Sequence, residues 1–321
     1  GRSSHSIPRP TRSGRRPRLS HYLGGLVAAL ALLIATAVPA AAAEIMRVTF
    51  IRHAQSVANA NDYADTSTPG PIITDLGSQQ AAAIAKALGD NNYDAIYAST
   101  MVRTQLTAAP MSQYLGLPIQ VIPGLQEIEA GIYEGTKESE AVNGYAKIPI
   151  AWAFTGNLDV AMPGTNPVLD GHVFDARVKG ALQTMYDAGD RNVAVFSHGG
   201  TIMFWTMMNA VVNGVNLTVQ EKGSLLSAAS LSNTNYVVIE GNNEDGWSLV
   251  EWHGKDGVTR TFGTQPTFWN NVKLQRRTLD RQLAEAWQPV KDAFQTHDWS
   301  SLASAFNHAI ADAKFASAKY H

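Results

Sequence analysis

Two short apolar runs, Met46 to Ile51 and Asn192 to Ser197, each lead into a histidine, and this pairing constrains the fold more than any other feature. The first run opens into Arg52-His53-Ala54, the second into His198-Gly199-Gly200, 145 positions later. Short apolar runs bounded by polar or turn-forming residues read as buried strands. A helix-like stretch can follow each histidine. In an open α/β sheet the carboxyl ends of parallel strands share one edge, and ligands bind there. Two histidines at that edge, one preceded by Arg and one followed by two glycines, suit a pocket that handles a phosphoryl group.

The rest of the pattern repeats the strand-helix unit. Thr74 can cap a helix running to about Leu88, with Ala and Ile at helical spacing. Tyr93 to Ala98 reads as a second strand and Thr100 to Leu115 as a helix, which Pro110 should make irregular or short. Pro118 to Ile122 reads as a third strand. Val173, Phe174, Val178, Leu182 and Met185 recur at helical period, and Thr201 to Val212 reads as a buried apolar helix. Ala228 to Glu240 and Trp247 to His253 read as late strands joined by the polar turn Gly241 to Gly246. This order predicts an α/β fold, a mostly parallel sheet with helices on both faces. Residues 60–72 and 136–171 are rich in Pro, Gly and Asn and are expected as inserted lid loops. Trp152, Phe154 and Met162 in the second insertion would close over the pocket or anchor the loop to the core.

The termini stand apart from residues 44–264, the expected compact domain. Residues 2–18 carry six Arg and no acid, and Leu23 to Ala40 is almost uninterrupted apolar sequence ending in Ala41-Ala42-Ala43. A basic stretch, an apolar stretch and a small-residue end form the pattern of a signal peptide, assigned to 1–43. The expected location is therefore outside the cytoplasm, extracellular or in the cell envelope. Membrane attachment follows only if this segment is retained. Residues 265–321 read as a helical extension packed on the domain, with Leu302, Phe306, Ile310 and Phe315 on one face.

Of 25 basic residues, six lie in the leader, which leaves 19 against 27 acidic ones, a net charge of −8 from Glu44 onward. Such a chain is a poor nucleic-acid binder. With no cysteine and no ligand-like His spacing, the sequence suggests no metal and no cofactor. It leaves the oligomeric state open.

A phosphomonoester dianion needs cationic donors, an in-line nucleophile and an acid for the leaving oxygen. Arg52 and Arg103 can offer forked donors. His53 must be neutral at its attacking nitrogen; a bound anion would raise its pKa, and the two arginines lower it. The amides of Gly199 and Gly200 can approach an oxygen at a helix N-terminus. Asn59 can supply a further donor.

In ordered motifs the chain resembles the histidine phosphatase superfamily, the branch that includes phosphoglycerate mutase-like proteins. The first motif is Arg52-His53-Ala54-Gln55-Ser56-Val57-Ala58-Asn59. Then come Thr74-Asp75-Leu76-Gly77, Ser99 through Arg103-Thr104 to Thr107-Ala108, Leu125-Gln126-Glu127 with Gly131-Ile132-Tyr133-Glu134-Gly135, and Ser197-His198-Gly199-Gly200. The resemblance spans roughly 46–254. It implies a phosphohistidine at His53 and phosphoryl binding by Arg52, Arg103 and His198. Asn59, Ser56 and Gly199 would line the substrate site. Gly199 stands where another branch carries an Asp acid, so Glu127 is the expected acid, with Glu129 and Glu134 as competitors. Ala54 and Gln55 depart from the usual Gly and Glu, and Gln55 removes an acid expected near the phosphate. The implied activity is an exported, metal-independent phosphomonoesterase acting on a small-molecule phosphomonoester. The alternatives are a mutase-like phosphotransferase and a non-catalytic phospho-ligand-binding envelope protein.

Overall fold

The computed structural model describes residues 43–262, together with 280, 283, 284, 286–300 and 302. The assigned leader, 1–43, falls outside these except for Ala43, as does most of the C-terminal extension. Within that extension residues 286–296 are helical.

A single mixed sheet runs through the molecule in the order β3-β2-β4-β1-β7-β8-β5-β6, with β9 paired to β8. Its strands are β1 (Met46–Arg52), β2 (Ala95–Ala98), β3 (Ile119–Val121), β4 (Asn192–Ser197), β5 (Ala210–Val212), β6 (Val215–Asn216), β7 (Tyr236–Asn242), β8 (Gly246–His253) and β9 (Thr259–Thr261). The four strands β3, β2, β4 and β1 pair in parallel. The late strands β7 and β8 pair antiparallel to each other, and β7 antiparallel to β1. The α/β expectation therefore holds, with the parallel half carrying the histidines. Every residue of β2 and β4 is buried. Strands covered on both faces read as continuous apolar runs, and this is why they were visible in the sequence.

The helices are α1 (Val57–Ala60), α2 (Asp75–Leu88), α3 (Val102–Leu115), α4 (Lys147–Phe154), α5 (Gly171–Asp187), α6 (Gly199–Asn209) and α7 (Val219–Ala228). Thr74 caps α2 through its side chain, accepting from Gly77 N, as its sequence position predicts. One core face joins Phe50, Val195, Ile239 and Leu249 of the sheet to Phe174, Leu182 and Met185 of α5 and Ile202 and Trp205 of α6. The opposite face packs Ile51, Ile96 and Phe196 on Ile84, Leu88, Ala108 and Met111 of α2 and α3.

Several local expectations are corrected. Helix α3 runs unbroken through Pro110 to Leu115; the proline forfeits only its own bond to the Leu106 carbonyl. The apolar run 201–212 divides, because Ala210–Val212 leaves the helix and pairs in parallel with β8. The strand expected from Ala228 begins only at Tyr236. The second insertion contains a 3₁₀ segment, Glu138–Asn143, and the helix α4. Trp152 and Met162 are 1% exposed and belong to the core, so they anchor this insertion and form no lid. Trp152 packs on Phe174 with ring centroids 5.4 Å apart, and its indole N–H donates to the Val160 carbonyl.

Candidate active site

Strands β1 and β4 are neighbours in parallel, with Arg52 level with Ser197. The residues that follow, His53 and His198, therefore leave the sheet side by side. His53 N donates to the Ser197 carbonyl at 3.0 Å, and the two imidazoles meet edge to face with centroids 5.2 Å apart. Both are buried.

The tautomer of His53 follows from its surroundings. Nδ1 lies 2.7 Å from the Ala54 carbonyl, which can only accept, so a neutral ring carries its proton on Nδ1. Nε2 then keeps its lone pair, and Arg103 Nε donates to it at 3.2 Å. Burial first, then the charges of Arg103 and Arg52, hold the His53 pKa well below its usual range; the bond to Ala54 opposes them. Burial, then Arg103, His53, Arg52 and Arg177, lower His198 as well. Both rings are thus held neutral at ordinary pH. His198 is oriented by Ser99, whose Oγ lies 2.8 Å from its Nε2 and 3.0 Å from the Thr104 hydroxyl.

Arg52 and Arg103 flank the pair. Arg52 Nη1 donates to the Leu231 carbonyl and Nη2 to Glu138 Oε1 at 3.1 Å. Arg103 Nη2 donates to the Asp65 carbonyl at 3.1 Å. Three buried nitrogens beside the histidines find no partner among the described residues: Arg52 Nε, Arg103 Nη1 and His198 Nδ1. Buried polar atoms without partners are costly, and an anion accepting from them would remove that cost. Gly199 makes room for the arginine, since a Cβ there would lie 3.2 Å from Arg52 Cδ.

Glu127 is held at the N-terminus of α6. Its Oε2 accepts from Gly200 N at 3.0 Å, and its Oε1 from Thr201 N and from its own neighbour Ile128 N, each at 2.9 Å. The Thr201 hydroxyl lies 3.1 Å from the same Oε1. This corrects the Gly200 half of the expected Gly199-Gly200 phosphate cradle, because the helix-terminal amides at 200 and 201 are already satisfied by a carboxylate. Glu129 and Glu134 are spoken for elsewhere. Glu129 pairs with Arg177 at 2.7 Å, and Glu134 accepts from Thr66 N at 2.9 Å. Tyr145, whose hydroxyl donates to the Ile128 carbonyl, has its pKa pushed well up by burial and then by Glu127 and Glu129.

The remaining expected residues have other partners. Ser56 and Asn59 form the capping box of α1. Asn59 Nδ2 donates to Glu138 Oε2 at 3.0 Å, and its Oδ1 accepts from Asn233 Nδ2 at 3.2 Å. Gln55 turns away from the histidines; its Oε1 accepts from Thr74 Oγ1 at 2.8 Å, so its lack of charge does not bear on the anion site. Ala54 is fully buried without a positive φ, which explains why a methyl replaces glycine there without strain.

Sequence reasoning missed four contributors. Ser99 appeared only as part of a motif. Leu231 and Asn233 lie in the stretch read as a strand; Leu231 supplies its carbonyl to Arg52, and Asn233 donates to the His53 carbonyl at 3.1 Å. Glu138 carries no sequence signal beyond its place in the insertion. The first three act through backbone atoms or amide and hydroxyl links, which leave no pattern. Glu138 lies eleven residues beyond the expected acid, in a segment whose course the sequence does not fix.

A profile of the histidine phosphatase superfamily (branch 1) matches residues 48–253. The PE-PGRS family protein PE_PGRS11 of Mycobacterium tuberculosis is 41% identical over 212 residues, 64% of this chain but 36% of that protein's length. The adenosylcobalamin/alpha-ribazole phosphatase of Escherichia coli is 27% identical over 158 residues, 49% of this chain and 75% of its own. Among solved structures, a mycobacterial glucosyl-3-phosphoglycerate phosphatase superposes with a TM-score of 0.51 at 21% identity, covering 66% of this chain and all of that one. At that identity the likeness is one of fold.

Proposed function

The chain belongs to the histidine phosphatase superfamily, branch 1, and on that premise we propose that it hydrolyses small phosphomonoesters through a phosphohistidine at His53. One observation carries the reading: a neutral, buried His53 whose bare Nε2 faces Arg103, with unpartnered nitrogens of Arg52, Arg103 and His198 around it. The bare nitrogen suits attack on phosphorus, and the surrounding donors suit the charge on the equatorial oxygens.

In the first step the His53 Nε2 lone pair forms the N–P bond as the ester P–O bond breaks. Arg103 Nε must turn from His53 to a phosphoryl oxygen as this happens. The departing alkoxide takes a proton from Glu127, and in the second step the Glu127 carboxylate takes a proton from the water that cleaves the N–P bond. Four donors meet the Glu127 carboxylate and fix its position for both proton transfers. The Arg-rich, apolar and Ala-ended pattern of 1–43 supports export as the setting.

The test is a trapping experiment. Brief incubation with 32P-labelled phosphomonoester should place acid-labile, base-stable label on the wild-type chain. The variant His53→Ala should carry none and should turn over at background. Undiminished turnover in His53→Ala would sink the mechanism.

A further inference from the structure

Glu138 sits where a second anion would sit. Its carboxylate accepts from Arg52 Nη2 at 3.1 Å and from Asn59 Nδ2 at 3.0 Å, two donors at the rim of the His53 pocket. The side chain is 40% exposed and Arg52 15%, so the ion pair lies at the pocket mouth. Its backbone is tied down. Glu138 N donates to the Asp62 carbonyl, and the next residue, Ser139, donates through N at 2.8 Å and through Oγ at 2.7 Å to the Asp62 carboxylate. The hydrogen bonds from Ser139, and the charge of Lys137, lower the Asp62 pKa and keep it ionised, against the small opposing effect of burial.

These tethers have a consequence for any substrate. A phosphoryl group that engages the unpartnered Arg52 Nε binds the same guanidinium whose Nη2 Glu138 holds, and Glu138 can withdraw only by a side-chain rotation, because its main chain is pinned. Its negative charge therefore stays beside the phosphoryl site, at its exposed rim. Like charges at that range repel, while a hydroxyl or an ammonium can donate to the carboxylate.

We infer that Glu138 is a specificity-determining residue that selects phosphomonoesters whose alcohol portion carries a hydroxyl or ammonium group near the ester and rejects those carrying a carboxylate there. This rests on the phosphatase reading and narrows its substrate class. The mutase-like alternative, which needs a phosphorylated carboxylic acid, is disfavoured by the same charge.

The matched probes are glycerol 3-phosphate and 3-phosphoglycerate, which differ by a hydroxymethyl in place of a carboxylate. Wild type should prefer the first by kcat/KM. Glu138→Gln keeps the shape and acceptor oxygen and removes the charge; it should raise the ratio of 3-phosphoglycerate to glycerol 3-phosphate by about 10-fold, the scale of one removed like-charge contact. Glu138→Ala should do the same. With Arg52 and Asn59 released, inorganic phosphate should also bind both variants several-fold more tightly in calorimetry. If neither probe turns over, their inhibition constants against 4-nitrophenyl phosphate give the same ratio. A ratio unchanged within twofold overturns the inference. So does an equal loss on both probes in Glu138→Gln, which would make Glu138 the proton donor instead. Absence of any turnover of 4-nitrophenyl phosphate by wild type counts against the phosphatase reading itself. The phosphate-affinity comparison still judges Glu138 in that case.

Discussion

At the scale of single residues, the buried histidines tie the proposed chemistry to stability. A histidine whose folded pKa is lowered binds fewer protons folded than unfolded, between its folded value and the ordinary value near 6.5. His53 and His198 are both lowered, with burial the largest cause in each. Their contribution is therefore complete above about pH 6.5 and is lost as pH falls below it, toward the folded values. The expected slope approaches about 1.4 kcal/mol per pH unit for each group that stays neutral when folded. Urea unfolding at pH 7 and pH 5 should show this loss for wild type. In His53→Asn, which cannot titrate, the pH dependence should shrink by about one proton; an unchanged slope would mean that His53 is not held neutral. The charges acting on the pair are Arg103 and Arg52 on both rings and Arg177 on His198, and an anion bound to the arginines opposes their depression of the histidine pKa values. Inorganic phosphate should accordingly flatten the same profile.

At the scale of elements, the join between Glu127 and helix α6 is the place where structure and proposed chemistry use the same atoms. The carboxylate satisfies the amides of Gly200 and Thr201, so it works as a helix cap as well as the expected proton carrier. The two roles separate by substitution. Glu127→Ala should cost about 1–2 kcal/mol through the lost cap and charge-dipole contact, and activity as well. Glu127→Gln keeps an oxygen acceptor for part of the cap, so it should lose less stability. It should still fall on the order of 10²-fold on alkyl phosphates, with a smaller loss on nitrophenyl esters, whose leaving group departs without a proton. Equal losses on the two ester classes in single turnovers would leave Glu127 a structural cap only. Legibility also divides at this scale. Strands β1 and β4 were readable because most of their residues are buried and their apolar positions cluster in short runs, and their parallel register then places His53 beside His198. Strand β5 was not, because Ala210-Val211-Val212 extends the apolar run of α6, and periodicity cannot mark where a buried helix becomes a buried strand. Helix α7 was missed although a signal existed, since Thr218 and Glu221 form a capping box. Glu138 left no signal, because its contact with Arg52 depends on how the insertion folds back and not on any local spacing.

At the scale of the whole molecule, the insertion 136–171 is part of the core at one end and part of the site at the other. Helix α4 lies on α6, burying Trp152 against Phe174 of α5, and Met162 is buried with them. Glu138, at the other end, reaches Arg52 from a segment fastened to Asp62. An amphiphilic insertion read from sequence suggests a lid, because exposed aromatics in a long loop need a partner. Here the partner is the domain itself, and the part that meets the site is charged. This division makes the two ends separable. Trp152→Ala removes a fully buried indole and its bond to Val160, and such truncations cost about 3–5 kcal/mol. For a domain of this size that corresponds to a fall in Tm on the order of 10 °C. Below its melting point the variant should rank phosphomonoesters as wild type does, because the described partners of Trp152 are Phe174 and Val160. Glu138→Gln should show the converse, a changed ranking with little loss of Tm, since its side chain is 40% exposed. Thermal unfolding and a substrate panel measured on both variants decide the matter. A reordered panel in Trp152→Ala with an unchanged Tm would restore the lid and overturn the division drawn here.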